Sequence, residues 1–509
     1  MAEQLDQLRE LRKYLRELAY LDSAGEILDW DQYVNMPSNH LGHSVRADVL
    51  ANLAGLSHSR GTSSDLARLL DEARDKTAAG LLNEDEQCIV ARAFDDFENR
   101  RKIPRDFIEE QAKLTSESQQ VWEEARAKSD FVLFRPYLER IVALERQGAD
   151  YTRTTGQTCY EALLCDCEPG CSVAKLNAVF QELKSFLVPF VDRITLAQSW
   201  IKPEILRQPI AVSQQARFAR MVAKTIGYRL EAGRIDTSVH PMSTSFHPTD
   251  CRITVRYNRT NFINDCLMSL MHESGHAMYE QGLRQEFFGT PLAESVSLGI
   301  HESQSRLWEN LVGHSIHFWV YFYPKLQKAI PYFRAIPLAD FYGAINHVQP
   351  SFIRVDADEV TYNLHIILRF ELEKALIDGE IEVRDLPDLW NAKFKEMFGL
   401  EVKKDSDGIL QDVHWSDGSF GYFPTYALGN IYASQFYSAA LRDIPSLELM
   451  MSQGNFADLL EWLRINIHCH GRRYLPGELV LRATGEGFSP EPFFNYLQKK
   501  YSQLYNLPL

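Results

Sequence analysis

Two histidines stand four residues apart in SLMHESGHAMYEQG, residues 269–282, with a glutamate directly after the first. On a helix, positions i and i+4 leave the same side one turn apart. The imidazoles of His272 and His276 can therefore hold one Zn2+ at about 2.0–2.1 Å from each nitrogen. Glu273 is offset enough to miss the metal and close enough to hold a metal-bound water, which is the place of a general base. The same short pattern arises by accident on an amphipathic helix with polar residues, so the reading needs a third ligand. Catalytic zinc usually takes three protein ligands and one water. Glu302 lies on a second helical run, ESVSLGIHESQSRLWENL, 26 residues after His276. A helix followed by a return helix can bring that carboxylate to the metal. The competing role for Glu302 is an i,i+4 ion pair with Arg306, worth only a few tenths of a kcal/mol. Glu294 and Glu309 compete for the ligand position on composition alone.

The elements that must position these groups are mostly helical. Phe262, Ile263, Cys266, Leu267, Leu270 and Met271 form one broad apolar face, which predicts a helix from Phe262 to Gly282, capped by Thr260 or Asn261 and closed by Gly282. Leu5, Leu8, Leu11, Leu15, Leu18 and Leu21 recur every three or four residues, as on one face of a helix. Similar periodicity runs through LARLLDEARDKTAAGLL and FRPYLERIVALERQGADYTR, so the N-terminal half reads as long antiparallel helices. HPMSTSFHPTDCRITVRYN, residues 240–258, breaks the pattern and reads as loop followed by the strand RITVRY. A glycine-rich loop is expected at DSDGILQDVHWSDGSFGYFPTYALGN. The expected architecture is mainly α, with long helices in two lobes and a small β-sheet beside a central cleft.

Bulk properties agree with this picture. The chain has 509 residues, 45% hydrophobic, enough for a large core. No Gly/Ser- or Pro-rich linker divides it, so residues 1–509 read as one unit, with a helical N-terminal lobe and the metal site in the second half. With 54 basic and 69 acidic residues the net charge is −15, and no basic stripe is visible. That argues against nucleic acid as a partner. The N-terminus MAEQLDQLRELRKYLREL has no apolar signal region. The longest apolar run, Ile316 to Tyr323, is too short to span a bilayer. No membrane association and a cytoplasmic location follow as the default. Four of the eight cysteines cluster as Cys159, Cys165, Cys167 and Cys171, without a CxxC pair. They read as half-buried thiols in a reducing compartment rather than a second metal site.

At this point the sequence resembles the Taq-type metallocarboxypeptidases, the thermostable carboxypeptidase family. The resemblance rests on HESGH together with DxRxT at Asp250–Thr254, GIHESQSR at Gly299–Arg306 and IRVDAD at Ile353–Asp358, which matches IRxxAD. GILQDVHWSDGSFGYFPTYALG at Gly408–Gly429 adds GxxQDxHW followed by GYFPTYxxG, and WDQYVNMP at Trp30–Pro37 extends the match towards the N-terminus. One departure is His240-Pro241-Met242, where the family has HPF. The thioether changes the local pocket shape and leaves the metal chemistry alone. The resemblance implies Glu302 as third ligand, Glu273 as general base, and a helical fold with a deep cleft similar to angiotensin-converting enzyme and neurolysin. It also implies a homodimer that removes single C-terminal residues with broad specificity, zinc being usual and cobalt able to serve.

Such chemistry needs further groups. A His2Glu zinc site has a formal charge of +1, lowers the pKa of its water and polarises the scissile carbonyl. His414, Tyr422 and Tyr426 lie where a loop could reach over the site and donate to the tetrahedral intermediate. The alternative for each tyrosine is packing with a satisfied hydroxyl. Arg354 is the candidate for gripping a peptide's free C-terminal carboxylate. Its alternative is an ion pair with Asp358. His240, Asp250, Arg252 and Thr254 flank the expected strand and could orient substrate, brace ligands or simply stabilise turns. Two other functions stay open: a zinc endopeptidase or peptidyl-dipeptidase of the same helical type, and a non-enzymatic helical scaffold.

Overall fold

The structure is a computed structural model that describes residues 8–37, 40–197 and 200–507. Leu5 of the first leucine series lies outside the described residues. Leu8 occupies the N-cap of the helix Arg9–Val34, and Leu11, Leu15, Leu18 and Leu21 fall on it, with Leu11 and Leu18 buried. It packs on the helix His40–Gly61. Boundaries follow the side chains that satisfy free backbone N–H groups. Ser63 accepts from the Leu66 N–H at the start of Ser64–Ala78, and Asn83 and Glu86 form a reciprocal capping box at the start of Glu84–Arg100. Arg105–Lys128 and Phe131–Thr152 pair across a two-residue link, where Ser129 is left-handed and Asp130 accepts from the Val132 N–H.

Two apolar cores result. The small one joins Leu11, Leu66, Leu70, Ile89 and Phe97 to Phe287 and Leu292. Those last two residues sit between the two predicted ligand helices, so the N-terminal helices grip the connection that spaces the ligands. The large core runs from Phe107 to Tyr505. Among the described residues no helix is long and apolar enough to cross a membrane.

The expected small sheet is present, with three strands rather than one. β1 (Ile235–Thr237) pairs in parallel with β3 (Asp250–Val255), and β2 (Ser243–His247) pairs antiparallel on the other side of β3. STSFH, expected as loop, is strand β2. Its polar residues hide the strand signal, and its pairing with β3 supplies the order that local sequence lacks. Cys251, Ile253 and Val255 are fully buried, and β2 and β3 pack on the histidine helix Ser269–Glu280.

That helix differs from expectation at both ends. Phe262–Met268 is a wide π-helical segment leading into it. Asn261 occupies the starting position, but its side-chain amide donates to Asp265 rather than capping the backbone. Gln281, at φ −64°, ends the helix. Gly282 is not in the left-handed region. It is small for another reason: a Cβ there would stand 2.4 Å from His468 Nδ1. The glycine-rich segment is also shorter than expected. Turns end at Tyr422, and FPTYALGN opens the long helix Phe423–Asp443.

Gly282→Ala should therefore destabilise by overpacking, by about 1–3 kcal/mol. Thermal unfolding measures this, and an unchanged melting temperature would mean that His468 simply moves aside.

Candidate metal centre and active site

Three helices meet where two glycines allow it. The histidine helix approaches the glutamate helix Leu298–Arg306 so closely that a Cβ on Gly275 would lie 2.5 Å from the Gln304 carbonyl oxygen and 2.6 Å from Ser305 Cα. A Cβ on Gly429, in the helix Phe423–Asp443, would lie 2.5 Å from Glu302 Cγ. The result is a compact donor set. Glu302 Oε2 is 3.7 Å from His272 Nε2 and 3.4 Å from His276 Nε2. Three ligand atoms, one from each residue, lie within 4.8 Å of one another. A tetrahedral ion with ligands at about 2.0–2.1 Å keeps them roughly 3.4 Å apart, and the two separations from Glu302 are close to that, so small side-chain adjustments close the trio on a metal. His272, His276 and Glu302 form the one such group among the described residues.

The neighbours hold these ligands in place. Glu309 accepts from His272 Nδ1 at 2.8 Å, which leaves Nε2 for a metal. Arg306 Nε donates to Glu302 Oε1 at 2.7 Å, and Nη1 reaches Glu309 at 3.3 Å. Ser305 also donates to Glu302 Oε2, at 3.2 Å. The predicted Glu302–Arg306 pair thus exists alongside the ligand geometry. The glutamate helix continues into a second π-helical segment, Leu307–Gly313, which carries Glu309. Single π turns frequently occur at functional sites. The His276 ring stacks on His301 at 4.4 Å and 20°, and His301 Nε2 is 3.0 Å from Glu280.

Burial and charge tune the same groups. Burial, opposed by His272 and reinforced by Glu302, pushes the Glu273 carboxyl up to about 7. Burial would also raise Glu302, but Arg306 and His272 hold it well below the usual carboxylate range. Burial and the neighbouring His301 bring His276 down to about 3, so its imidazole is neutral, as a ligand must be. Against the effect of burial, Glu302 and Glu309 lift His272 to about 9. Metal binding would replace that proton.

Comparison with known proteins decides the family. The carboxypeptidase Taq (M32) metallopeptidase family matches residues 10–501. The thermostable carboxypeptidase 1 of Thermus thermophilus is 42% identical over 505 residues, covering 98% of each chain. Carboxypeptidase 1 of Bacillus subtilis is 38% identical, covering 98% of this chain and 99% of that one. The chain belongs to the carboxypeptidase Taq (M32) metallopeptidase family. Its fold agrees: the crystal structure of the M32 carboxypeptidase from Deinococcus radiodurans R1 superposes with a TM-score of 0.94 at 39% identity, over 98% of this chain and 99% of that chain. The chain is accordingly a metallocarboxypeptidase, a hydrolase of peptide bonds, with a mainly helical fold.

The remaining predicted residues of this M32 carboxypeptidase divide into two groups. His414, Tyr422, Tyr426 and Arg354 gather together. His414 Nε2 lies 3.1 Å from the Tyr426 hydroxyl, and the two tyrosine rings are 5.3 Å apart. Both phenols are pushed up chiefly by burial, with the Glu302 carboxylate a smaller contributor. Tyr426 stands on the first turn of a helix, not in a loop. Arg354 lies over the Tyr426 ring at 4.9 Å.

The alternative role for Arg354, an ion pair with Asp358, is not what the structure shows. Arg354 Nε and Nη2 donate to Asp412 Oδ1 at 2.9 and 2.8 Å. Asp358 instead accepts from the backbone of Gln349, Val360 and Thr361. The segment Arg354–Asp356 is a single 3-10 turn, so no helical i,i+4 geometry exists there.

Arg252 and His240 form no part of this gathering. Arg252 is bidentate to Asp250 at 2.8 Å and lies against the rings of Trp30 and Phe246. His240 is exposed. Thr254 is a turn brace, accepting from the Met242 N–H at 2.9 Å. Among the described residues no hydrogen bond, ion pair or ring contact links Arg252 or His240 to the metal trio. Of the competing carboxylates, Glu294 pairs with Arg472, and Glu309 is bonded to His272 Nδ1. The cysteines are free.

Asp412, Arg369, Tyr362 and Glu373 were missed. Tyr362 accepts from Arg354 Nη1 at 2.8 Å and carries Arg306 over its ring at 4.2 Å. Glu373 fixes the turns before Tyr422, accepting from Trp415 Nε1 at 2.8 Å, the Tyr160 hydroxyl at 3.1 Å and the Gly421 N–H at 3.3 Å. The one available signal was Asp412 within QDVHW.

Glu309→Ala should weaken metal binding by about 10–100-fold while leaving the three ligands in place. Titration with a competing chelator measures this. Affinity equal to the parent protein would show that the His272–Glu309 bond does not steer the ligand.

Proposed function

We propose that this chain is a zinc carboxypeptidase that releases single C-terminal residues from peptides with broad specificity, Glu273 acting as general base. The observation that carries the reading is the His272–His276–Glu302 donor set with the buried Glu273 carboxyl beside it and the Arg354 guanidinium in the adjoining polar cluster. Two imidazoles and one carboxylate at tetrahedral spacing suit Zn2+, and Co2+ can occupy the same set. When bound, the metal supplies Lewis acidity that polarises the scissile carbonyl and acidifies water.

The protein's own groups do the rest. Glu273 takes a proton from the attacking water and returns it to the leaving amine. A carboxyl held near 7 suits both transfers at neutral pH. The phenols of Tyr422 and Tyr426, kept protonated by burial, donate to the oxyanion as it develops. His414 lies low, near 3, because of burial and Arg354, and as a neutral ring it steadies the Tyr426 hydroxyl. Arg354 receives the terminal carboxylate. A homodimeric state and a cytoplasmic location complete the proposal and rest on the resemblance and on the residue types. Light scattering of the purified protein tests the former.

Mass spectrometry of a digested peptide should show a ladder of single losses from the C-terminus. Dipeptide losses or internal cuts would contradict the carboxypeptidase assignment in this form. Glu273→Gln keeps every ligand but cannot accept the proton. It should retain stoichiometric zinc and lose about 10²–10⁴ in kcat. A variant with normal zinc and most of its kcat would remove Glu273 from the base role. Arg354→Ala should lower kcat/KM for free-acid peptides by roughly 10²-fold, from the loss of a charge-assisted contact. It should also lose the preference for a free acid over its amide, at unchanged zinc content.

A further inference from the structure

Behind Arg354 lies a buried trio of two guanidinium groups and one carboxylate. Asp412 Oδ1 takes two N–H groups of Arg354, and Oδ2 accepts from Arg369 Nε at 2.7 Å and from Nη2. The Arg369 side chain is 0% exposed, and its Nη1 donates to the His365 carbonyl at 2.8 Å. One carboxylate thus serves two permanent cations, leaving a formal charge of +1 inside the protein. Buried charge without a counterion is costly, so an arrangement of this kind calls for an anion. Arg354 has N–H capacity left for one. Its Nε, Nη1 and Nη2 each make a bond, and one N–H on each Nη nitrogen has no acceptor among the described residues.

Among the described residues no other acid pairs with either arginine. Glu373 faces Arg369 from the same helix, Tyr362–Ile377, but makes no ion pair with it among the described residues. Burial pushes Glu373 up to about 8, so it is largely protonated at neutral pH. His365, fully buried beside Arg369, is held well below its ordinary range by burial and by Arg369 and Arg354. It adds no charge.

We propose that Arg369 is a positioning residue for substrate specificity: paired to Asp412 behind Arg354, it supplies the unbalanced positive charge that makes the pocket select a C-terminal carboxylate. This rests on the reading of Arg354 as the carboxylate contact. Without Arg369, the Arg354–Asp412 pair is neutral and Arg354 still points the same way, but it has nothing to attract an anion with. Arg369 itself touches no substrate.

The test compares charge states of the full-length zinc-loaded enzyme, using a non-hydrolysable tripeptide analogue as free acid and as amide, with binding read by inhibition. Arg369→Met takes the trio to 0 and should lower the acid-over-amide ratio by about tenfold or more. The same variant should raise KM for a free-acid substrate while zinc content stays constant. The double variant Arg369→Met/Asp412→Asn returns the trio to +1 and should recover the ratio to within about threefold of the parent. A simple loss of packing cannot produce that recovery. An unchanged ratio in Arg369→Met, or a double variant as low as the single one, overturns the proposal. Should Arg369→Met fail to fold, the double variant alone decides, since a ratio about tenfold below the parent contradicts charge balance. Arg354→Ala separates the two levels. If it keeps the acid preference, the reading of Arg354 itself fails. If it loses the preference while Arg369→Met retains it, only the role of Arg369 fails.

Discussion

The contact on which the site depends is the near-touching of backbones at Gly275 and Gly429. The glutamate helix lies between the histidine helix and the helix Phe423–Asp443: Gly275 admits its Gln304–Ser305 backbone, and Gly429 admits the Glu302 side chain. Close packing of this kind leaves a side chain few places to go. Glu302 Oε2 is thereby fixed at 3.4 Å from His276 Nε2 by covalent geometry and van der Waals contact. The electrostatic partners only refine that position. Glycine within a helix costs about 1 kcal/mol relative to alanine, so two of them at this junction mark where stability yields to geometry.

Around that junction the charges are arranged in series. Arg306 bridges Glu302 and Glu309, and Glu309 holds His272. Each group is satisfied by the next, as buried ionic groups must be if they are to stay ionised. Glu273 is the exception: it stands buried beside this chain with no hydrogen bond of its own among the described residues. Burial pushes its carboxyl up to about 7, and a group left without a structural partner suits the proton exchange proposed for it.

How much of this could be read in the sequence depends on the range of each interaction. His272, Glu273 and His276 were legible because one helical turn fixes their relation. Glu302 was legible as a candidate, but spacing could not separate it from Glu309, since both lie on one helical run and the intervening π-helical segment leaves no clear mark in the residue pattern. The partner of Arg354 could not be read locally, because Asp412 is 58 positions away. β2 was missed because STSFH has almost no apolar alternation and is a strand only through its pairing with β3. Tyr426 was assigned to a loop on the strength of nearby glycines, although the proline Pro424 stands two residues before it. In the fold that proline opens the helix, where its missing N–H costs nothing, and Gly429 meets Glu302.

The two charged clusters share one ring. Tyr362 turns its face to Arg306, on the metal side, and its hydroxyl to Arg354, on the carboxylate side. The ring is buried and starts a helix whose residues are nearly all buried, so it is a rigid spacer. Under the carboxypeptidase assignment, such a spacer fixes the separation between the carbonyl that is cleaved and the carboxylate that is held. On the proposed roles, a peptide that anchors its terminus at Arg354 would then present only one bond to Glu273. On this view cleavage of single residues follows from the rigidity of the wall between the two clusters, and side-chain recognition is not needed for it. Under the proposed function, broad specificity and strict position are compatible because different groups would impose them.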